Sequence, residues 1–313
     1  MVIRLWIGIC ALFVGATSWS PVWAGGEDAA PTQTGIMQRG RLVYVLRCAE
    51  CHGRDGRGDG RAAAFMTPRP RDFTTGAFKI RSTASGELPT DKDLFRTVTR
   101  GMPGTRMPAW DFLPAADRLA VVAYLKTFSP AFAKSAPPSP MAEGRPIRMT
   151  EGSVARGRAL YDELKCGDCH GAEGRGDGTS SHVLVDEWGH SIRPADLTRP
   201  WTFRGGADAG NIYLRLTTGM NGSPMPAFAD AVPEADRRRL ANFIRSLARE
   251  PSAEELRQGE DAIWAARYVA ARSRPTPLRR VLPVAAGLAT LGLEIAILRV
   301  LKSRRTMALT TPR

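Results

Sequence analysis

Two short runs, Cys48-Ala49-Glu50-Cys51-His52 and Cys166-Gly167-Asp168-Cys169-His170, each set two thiols one helical turn apart with an imidazole after the second. Such thiol pairs close disulfides, hold zinc, cycle as redox pairs or attach c-type haem, and the histidine that follows each pair selects the last. The reason is geometric: two thiols on one turn reach the two vinyl groups along one haem edge, and the neighbouring imidazole meets the iron from one face. Four thiolates would also suit zinc, but both histidines would then have no task. A thioredoxin-like pair needs a surrounding βαβ pattern that is missing. Cys48, Cys51 and His52 are therefore assigned to one covalently attached haem c, and Cys166, Cys169 and His170 to a second.

What each iron does depends on its sixth ligand, because a thioether there closes the site and raises the reduction potential. His52 to Met107 and His170 to Met225 are both intervals of 55 residues, so Met107 and Met225 are the expected axial ligands. Met102 and Met220 are also duplicated and stand as rivals; Met66, Met141 and Met149 read as core filler. His182 and His190 occur only in the second half. They are expected on solvent-facing loops rather than in place of Met225.

The elements that must position these residues come in two copies. The cysteine motifs, the glycine runs at Gly56 and Gly174, and Met107-Pro108-Ala109-Trp110 with Met225-Pro226-Ala227-Phe228 all repeat at a shift of 118. Pro70 to Thr74 matches Pro194 to Thr198 at 124. Self-similarity of this kind marks one unit used twice. Each copy reads as helix, long irregular segment, helix: Gln38 to Leu46 and Ser153 to Leu164 enter the cysteine pairs, and Pro114 to Phe128 and Pro233 to Ala248 follow the Met-Pro. Leu240, Phe243, Ile244 and Leu247 fall on one helical face. The organisation expected is 1-24 signal peptide, 35-132 first domain, 133-150 proline-rich linker, 151-250 second domain, 251-280 helical linker and 281-301 membrane anchor.

With Gly40 and Tyr44, or Gly157 and Tyr161, ahead of the cysteine pair and Tyr124 or Phe243 in the closing helix, each unit resembles a class I cytochrome c domain. The resemblance covers about 35 to 250 and implies an all-α fold of two tandem class I domains. It further implies that the first and last helices cross with glycine against an aromatic. A proline carbonyl, from Pro70 and Pro194 or the rival Pro68, is implied to orient the proximal histidine. The long middles, Arg61 to Thr99 and Thr179 to Thr218, depart from compact members and are expected to be surface loops. Arg69, Arg71, Lys79 and Arg81 make the first of them basic, a docking face or a solvated one. Arg71-Asp72-Phe73-Thr74 and Leu88-Pro89-Thr90-Asp91 look like dihaem subunits that accompany respiratory oxidoreductases.

Arg4 before the apolar run Leu5 to Val14, with Val22-Trp23-Ala24 after it, reads as a secretory signal cut after Ala24. Val281 to Leu298 is an apolar stretch interrupted by Glu294, long enough for a single C-terminal transmembrane helix, with a docking helix as the rival reading. The formal charge is +13, but nine basic residues lie from Arg272 onward against one acid. They flank the apolar stretch, so no nucleic-acid surface is expected. The chain is thus expected on the periplasmic face of the bacterial inner membrane, passing single electrons between a redox protein partner or oxidoreductase complex and its two haems. No acid-base or nucleophilic constellation is needed for that role. The alternatives are a dihaem peroxidase or sulfur-compound dehydrogenase, or a haem gas sensor, each with one open or unusual iron.

Overall fold

The computed structural model describes residues 32–142, 145–259 and 261–273. The expected signal peptide and membrane anchor lie outside these residues. Among the described residues no helix is long and apolar enough to cross a membrane, and pairing of extended chain is limited to one bridge between Val185 and Ser191.

The first copy contains α1 (Gln33–Arg47), α2 (Ala49–His52), α3 (Asp91–Arg100), α4 (Ala115–Lys126) and the short α5 (Ala131–Lys134). The second contains α6 (Glu151–Glu163), α7 (Gly167–His170), α8 (Ala209–Thr218) and α9 (Glu234–Ser246), followed by α10 (Ala253–Arg257) and α11 (Ala262–Ser273). α1 begins at Gln33, earlier than the sequence pattern predicts, because the Thr32 hydroxyl accepts from the Gly35 N–H and caps the first turn. The middles are not wholly irregular. α3 starts at a capping box between Thr90 and Asp93, and α8 starts where the Asp208 carboxylate accepts from the Asn211 N–H. Within the expected 251-280 helical linker the described residues form two helices: Gln258 is extended and Gly259 has φ 93°, which ends α10.

In each copy the first and last long helices cross at a glycine, as the family resemblance implies. A Cβ on Gly40 would strike the Ala120 carbonyl oxygen and lie 2.8 Å from the Tyr124 Cβ; on Gly157 it would strike the Arg239 carbonyl oxygen and lie 2.6 Å from the Phe243 Cβ. Below the crossings sit two cores. One gathers Tyr44, Phe73, Phe78, Leu94, Val121 and Leu125; the other gathers Tyr161, Leu197, Tyr213, Leu240, Phe243 and Ile244. Leu240 is fully buried, worth about 1.5–3 kcal/mol against exposure.

The basic loop is solvated only in part, with Arg69 exposed. Lys79 is buried and Arg81 has no exposed surface. Arg81 donates through Nη2 to the Thr218 carbonyl at 2.6 Å, and Arg215 answers by donating to the Arg81 carbonyl. Arg96 reaches the Asn211 side-chain oxygen at 2.8 Å. The loop's partner is the other half of the same chain. α11 adds to this interface by packing Trp264 and Ala265 on Ala109 and Trp201.

Candidate haem sites

α1 ends where the Cys48 N–H donates to the Tyr44 carbonyl, and the chain turns at once into α2. That single turn carries both thiols and the histidine, whose N–H donates to the Cys48 carbonyl at 2.9 Å. α7 repeats it, with His170 donating to Cys166 at 2.9 Å. Gly53 (φ 77°) and Gly171 (φ 80°) then reverse the chain, a left-handed conformation that costs a side-chain-bearing residue free energy. Their carbonyls accept from the Tyr44 and Tyr161 hydroxyls, each at 2.7 Å. Burial of both phenols raises their pKa, so they remain donors.

His52 Nδ1 lies 3.0 Å from the Arg71 carbonyl and His170 Nδ1 lies 2.9 Å from the Ala195 carbonyl. A carbonyl only accepts, so Nδ1 carries the proton and Nε2 keeps a free lone pair, the tautomer a metal-ligating histidine needs. The carbonyl therefore comes from the residue after Pro70 and after Pro194, not from the prolines. The Pro70 oxygen instead faces Gly58, where a Cβ would lie 2.6 Å from it. The aim of these carbonyls is set by a turn: Asp72 accepts from the Thr74 N–H at 2.8 Å and Asp196 from the Thr198 N–H at 2.9 Å. The duplicated Asp-x-Thr is the signal that marks this turn. Burial pushes the His52 pKa down to about 4, against a smaller opposing effect of the Arg71 carbonyl, and lowers that of His170. Both rings are thus neutral at pH 7.

The thiols are unpaired, and burial pushes Cys48 up to about 12 and Cys166 up to about 11. Burial thus keeps Cys48 and Cys166 protonated and poor in disulfide exchange. The two pairs do not meet: among the described residues no group of three or more His, Cys, Asp or Glu could hold a metal ion. That removes the basis for a shared zinc site.

Ahead of each methionine loop, α3 ends at Gly101 and α8 at Gly219, each with positive φ. A Cβ at either would lie 2.7 Å from the N of Ala109 or Ala227, so the returning chain passes close by. The loop closes when the Met102 N–H donates to the Met107 carbonyl at 3.1 Å, and Met220 to Met225 at 3.2 Å. Met102 and Met107 both line one cleft with Cys48, Cys51 and His52, whose apolar walls include Phe73, Leu94 and Val98. In the second copy Met225 packs on the core beside Cys166 and Phe228. His182 and His190 are exposed, and the His190 N–H is held by Asp186 at 2.9 Å. The first cleft fits a haem: two thiols on one turn, an imidazole with its outer nitrogen fixed, methionine thioethers among the lining residues and apolar walls. Arg71 also lines this cleft; its Nη1 is buried without a hydrogen-bond partner on the side of Gly222, where a Cβ would lie 2.8 Å from it.

The profile of the cytochrome c family matches residues 37–129 and 154–248. The chain is 26% identical over 224 residues to the cbb3-type cytochrome c oxidase subunit CcoP of Azospirillum sp. (strain B510), and 26% identical over 225 residues to that of Azospirillum brasilense. Each alignment covers 67% of this chain and only 62% of the relative. Among solved structures, a chain of the Kuenenia stuttgartiensis reducing HAO-like protein complex superposes with TM-score 0.66 at 44% identity, covering 68% of this chain and 96% of that one. With two profile matches that between them span both cysteine turns, both oriented histidines and both methionine loops, the chain belongs to the cytochrome c family.

Proposed function

We propose that this protein is an exported dihaem electron-transfer subunit, with one haem c in each of domains 35-132 and 151-250. Cys48 and Cys51 attach one haem and Cys166 and Cys169 the other; His52 with Met107, and His170 with Met225, are the axial pairs. When bound, the haem supplies one-electron Fe(III)/Fe(II) exchange. The chain's own residues do the rest: the Arg71 and Ala195 carbonyls hold the imidazoles in one tautomer, the methionine loops present sulfur, and the core excludes water. The observation that carries this reading is the twofold occurrence of one ligand arrangement, thiol pair, carbonyl-held histidine and glycine-anchored methionine loop. The names of the relatives, an oxidase subunit and a member of a protein complex, support a redox protein or oxidoreductase complex as partner. A signal peptide at 1-24 and an anchor at 281-301 complete the proposal and set the chain on the periplasmic face.

The likeness to a reducing HAO-like complex favours one second reading, a dihaem enzyme with an open iron. The absorption spectrum of the oxidised full chain separates the two. Both haems are expected to contribute to the weak long-wavelength methionine-to-iron band, and Met107→Ala and Met225→Ala are each expected to remove about half of it. A band unchanged in both variants would overturn the ligand assignment. Rapid cyanide binding by one wild-type haem would favour the enzyme.

A further inference from the structure

The first cleft is bordered by basic side chains from both copies. Arg71 and Lys79 line it from the loop behind His52, Arg204 lines it from the second copy, and no carboxylate is among the lining residues. Lys79 is 8% exposed, and among the described residues its ammonium has no hydrogen-bond or ion-pair partner. Arg71 Nη1 is buried and unpartnered, while the same guanidinium lies 4.3 Å over the Trp188 ring of the second copy. Of the nearby acids, Asp186 accepts from the Trp188 and His190 N–H groups, Asp261 pairs with Arg199 at 3.1 Å, and Glu187 makes no ion pair with Arg71. Burial first, then Arg204 and Arg71, push Lys79 down to about 7. Arg71, Lys79 and Arg204 stand at a partly desolvated cleft without a paired anion, and charging them there is unfavourable unless an anion joins them. Lys79 and Arg204 also correspond between the copies, each directly following a phenylalanine, Phe78 and Phe203.

We propose that Lys79 and Arg204, with Arg71 behind them, bind the propionate carboxylates of the first haem, so that the second copy completes the first copy's haem site. This rests on the haem reading above. Positive charge beside a haem favours the ferrous state, which carries one positive charge fewer. Docking of the second copy therefore raises the first haem's potential, and the two copies are coupled through Arg204.

The test is a spectroelectrochemical titration of the full chain, with covalent haem counted in every variant. Arg204→Gln and Lys79→Gln are each expected to move one of the two one-electron waves to lower potential, with roughly a threefold or larger change in the ferrous-to-ferric ratio at fixed potential. The wave that moves is to be the one that Met107→Ala displaces. Arg204→Lys is expected to restore most of the shift, and Arg257→Gln, an exposed charge on α10, to cause none. Two haems with both waves unmoved in Arg204→Gln and Lys79→Gln would overturn the proposal. So would a wild-type first wave that shifts on adding inorganic phosphate, since the site would then hold a free anion. Wild-type protein without covalent haem would instead overturn the underlying reading, and this one with it.

Discussion

The two copies agree in their hydrogen bonds and differ in their packing. Tyr44 and Tyr161 reach their glycine carbonyls at the same 2.7 Å, and the histidine rings reach theirs at 3.0 and 2.9 Å. The side chains around them do not correspond so closely. His52 stacks on Phe73 with ring centroids 4.4 Å apart, and Tyr44 sits 4.9 Å from Phe128. In the second copy Leu197 and Leu247 take those places, and the aromatic pair beside Tyr161 is with Phe243 at 5.3 Å. The reason lies in how the two kinds of interaction fail. A buried carbonyl without its donor costs about 1–3 kcal/mol, whereas one apolar side chain replaces another at less cost when the volume is refilled. Hydrogen bonds position the histidine; apolar contacts need only fill space.

The largest effect is expected at the helix crossings, where both copies are equally intolerant. Gly40→Ala and Gly157→Ala each drive a methyl group into a backbone carbonyl that cannot rotate away. A loss of about 1–3 kcal/mol is expected for each, even though alanine favours the helix by about 1 kcal/mol. Separate unfolding signals from the two domains, read by calorimetry, check this. A crossing that accepts alanine without loss would break the equivalence of the copies.

A smaller effect is expected at the tyrosines. Tyr44→Phe and Tyr161→Phe keep the ring and remove the donor, leaving the Gly53 or Gly171 carbonyl unpaired, at about 1–2 kcal/mol each. Equal losses measured by denaturant unfolding would sharpen the comparison. A loss at Tyr44 much below that at Tyr161 would mean that the aromatic cluster, not the hydroxyl, holds the first turn.

Much of this was legible in the sequence because it is local. Cys-x-x-Cys-His needs only one turn of helix, and the glycine against an aromatic is what the family resemblance implies. α3 was legible but read past: Thr90 to Asp93 is a capping box on its face. The carbonyl partner lies one residue beyond the proline that the family resemblance implies, because the Asp72–Thr74 turn sets the geometry. The burial of Arg81 could not be read from its neighbours, since its acceptor on Thr218 is 137 positions away. Arg204 was missed for the same reason, although its match to Lys79 one residue after a phenylalanine was visible. The expected signal peptide and anchor lie outside the described residues.

The smallest effect concerns a device found after the second copy and not after the first. α5 has no side-chain cap, whereas α10 begins at a capping box in which Glu255 accepts from the Ser252 N–H at 2.9 Å. Glu255 also accepts from Arg249 at 2.7 and 2.8 Å and pairs with Arg199 at 3.1 Å. The Arg249 hydrogen bonds, more than any other influence, push its pKa down to about 2. A carboxylate whose folded pKa is depressed stabilises fully above its ordinary range near 4.5, and that stabilisation fades as pH falls toward 2. The carboxylate is 22% exposed, so solvent screening reduces the contribution to about 1 kcal/mol. Glu255→Gln is therefore expected to lower the second domain's stability by about that amount at pH 7, and the gap from wild type is expected to close as pH falls from 4.5 to 2, with the first domain unmoved. Acid titration of the two calorimetric transitions checks this. A gap that stayed constant down to pH 2 would show that Glu255 acts through its cap geometry rather than its charge.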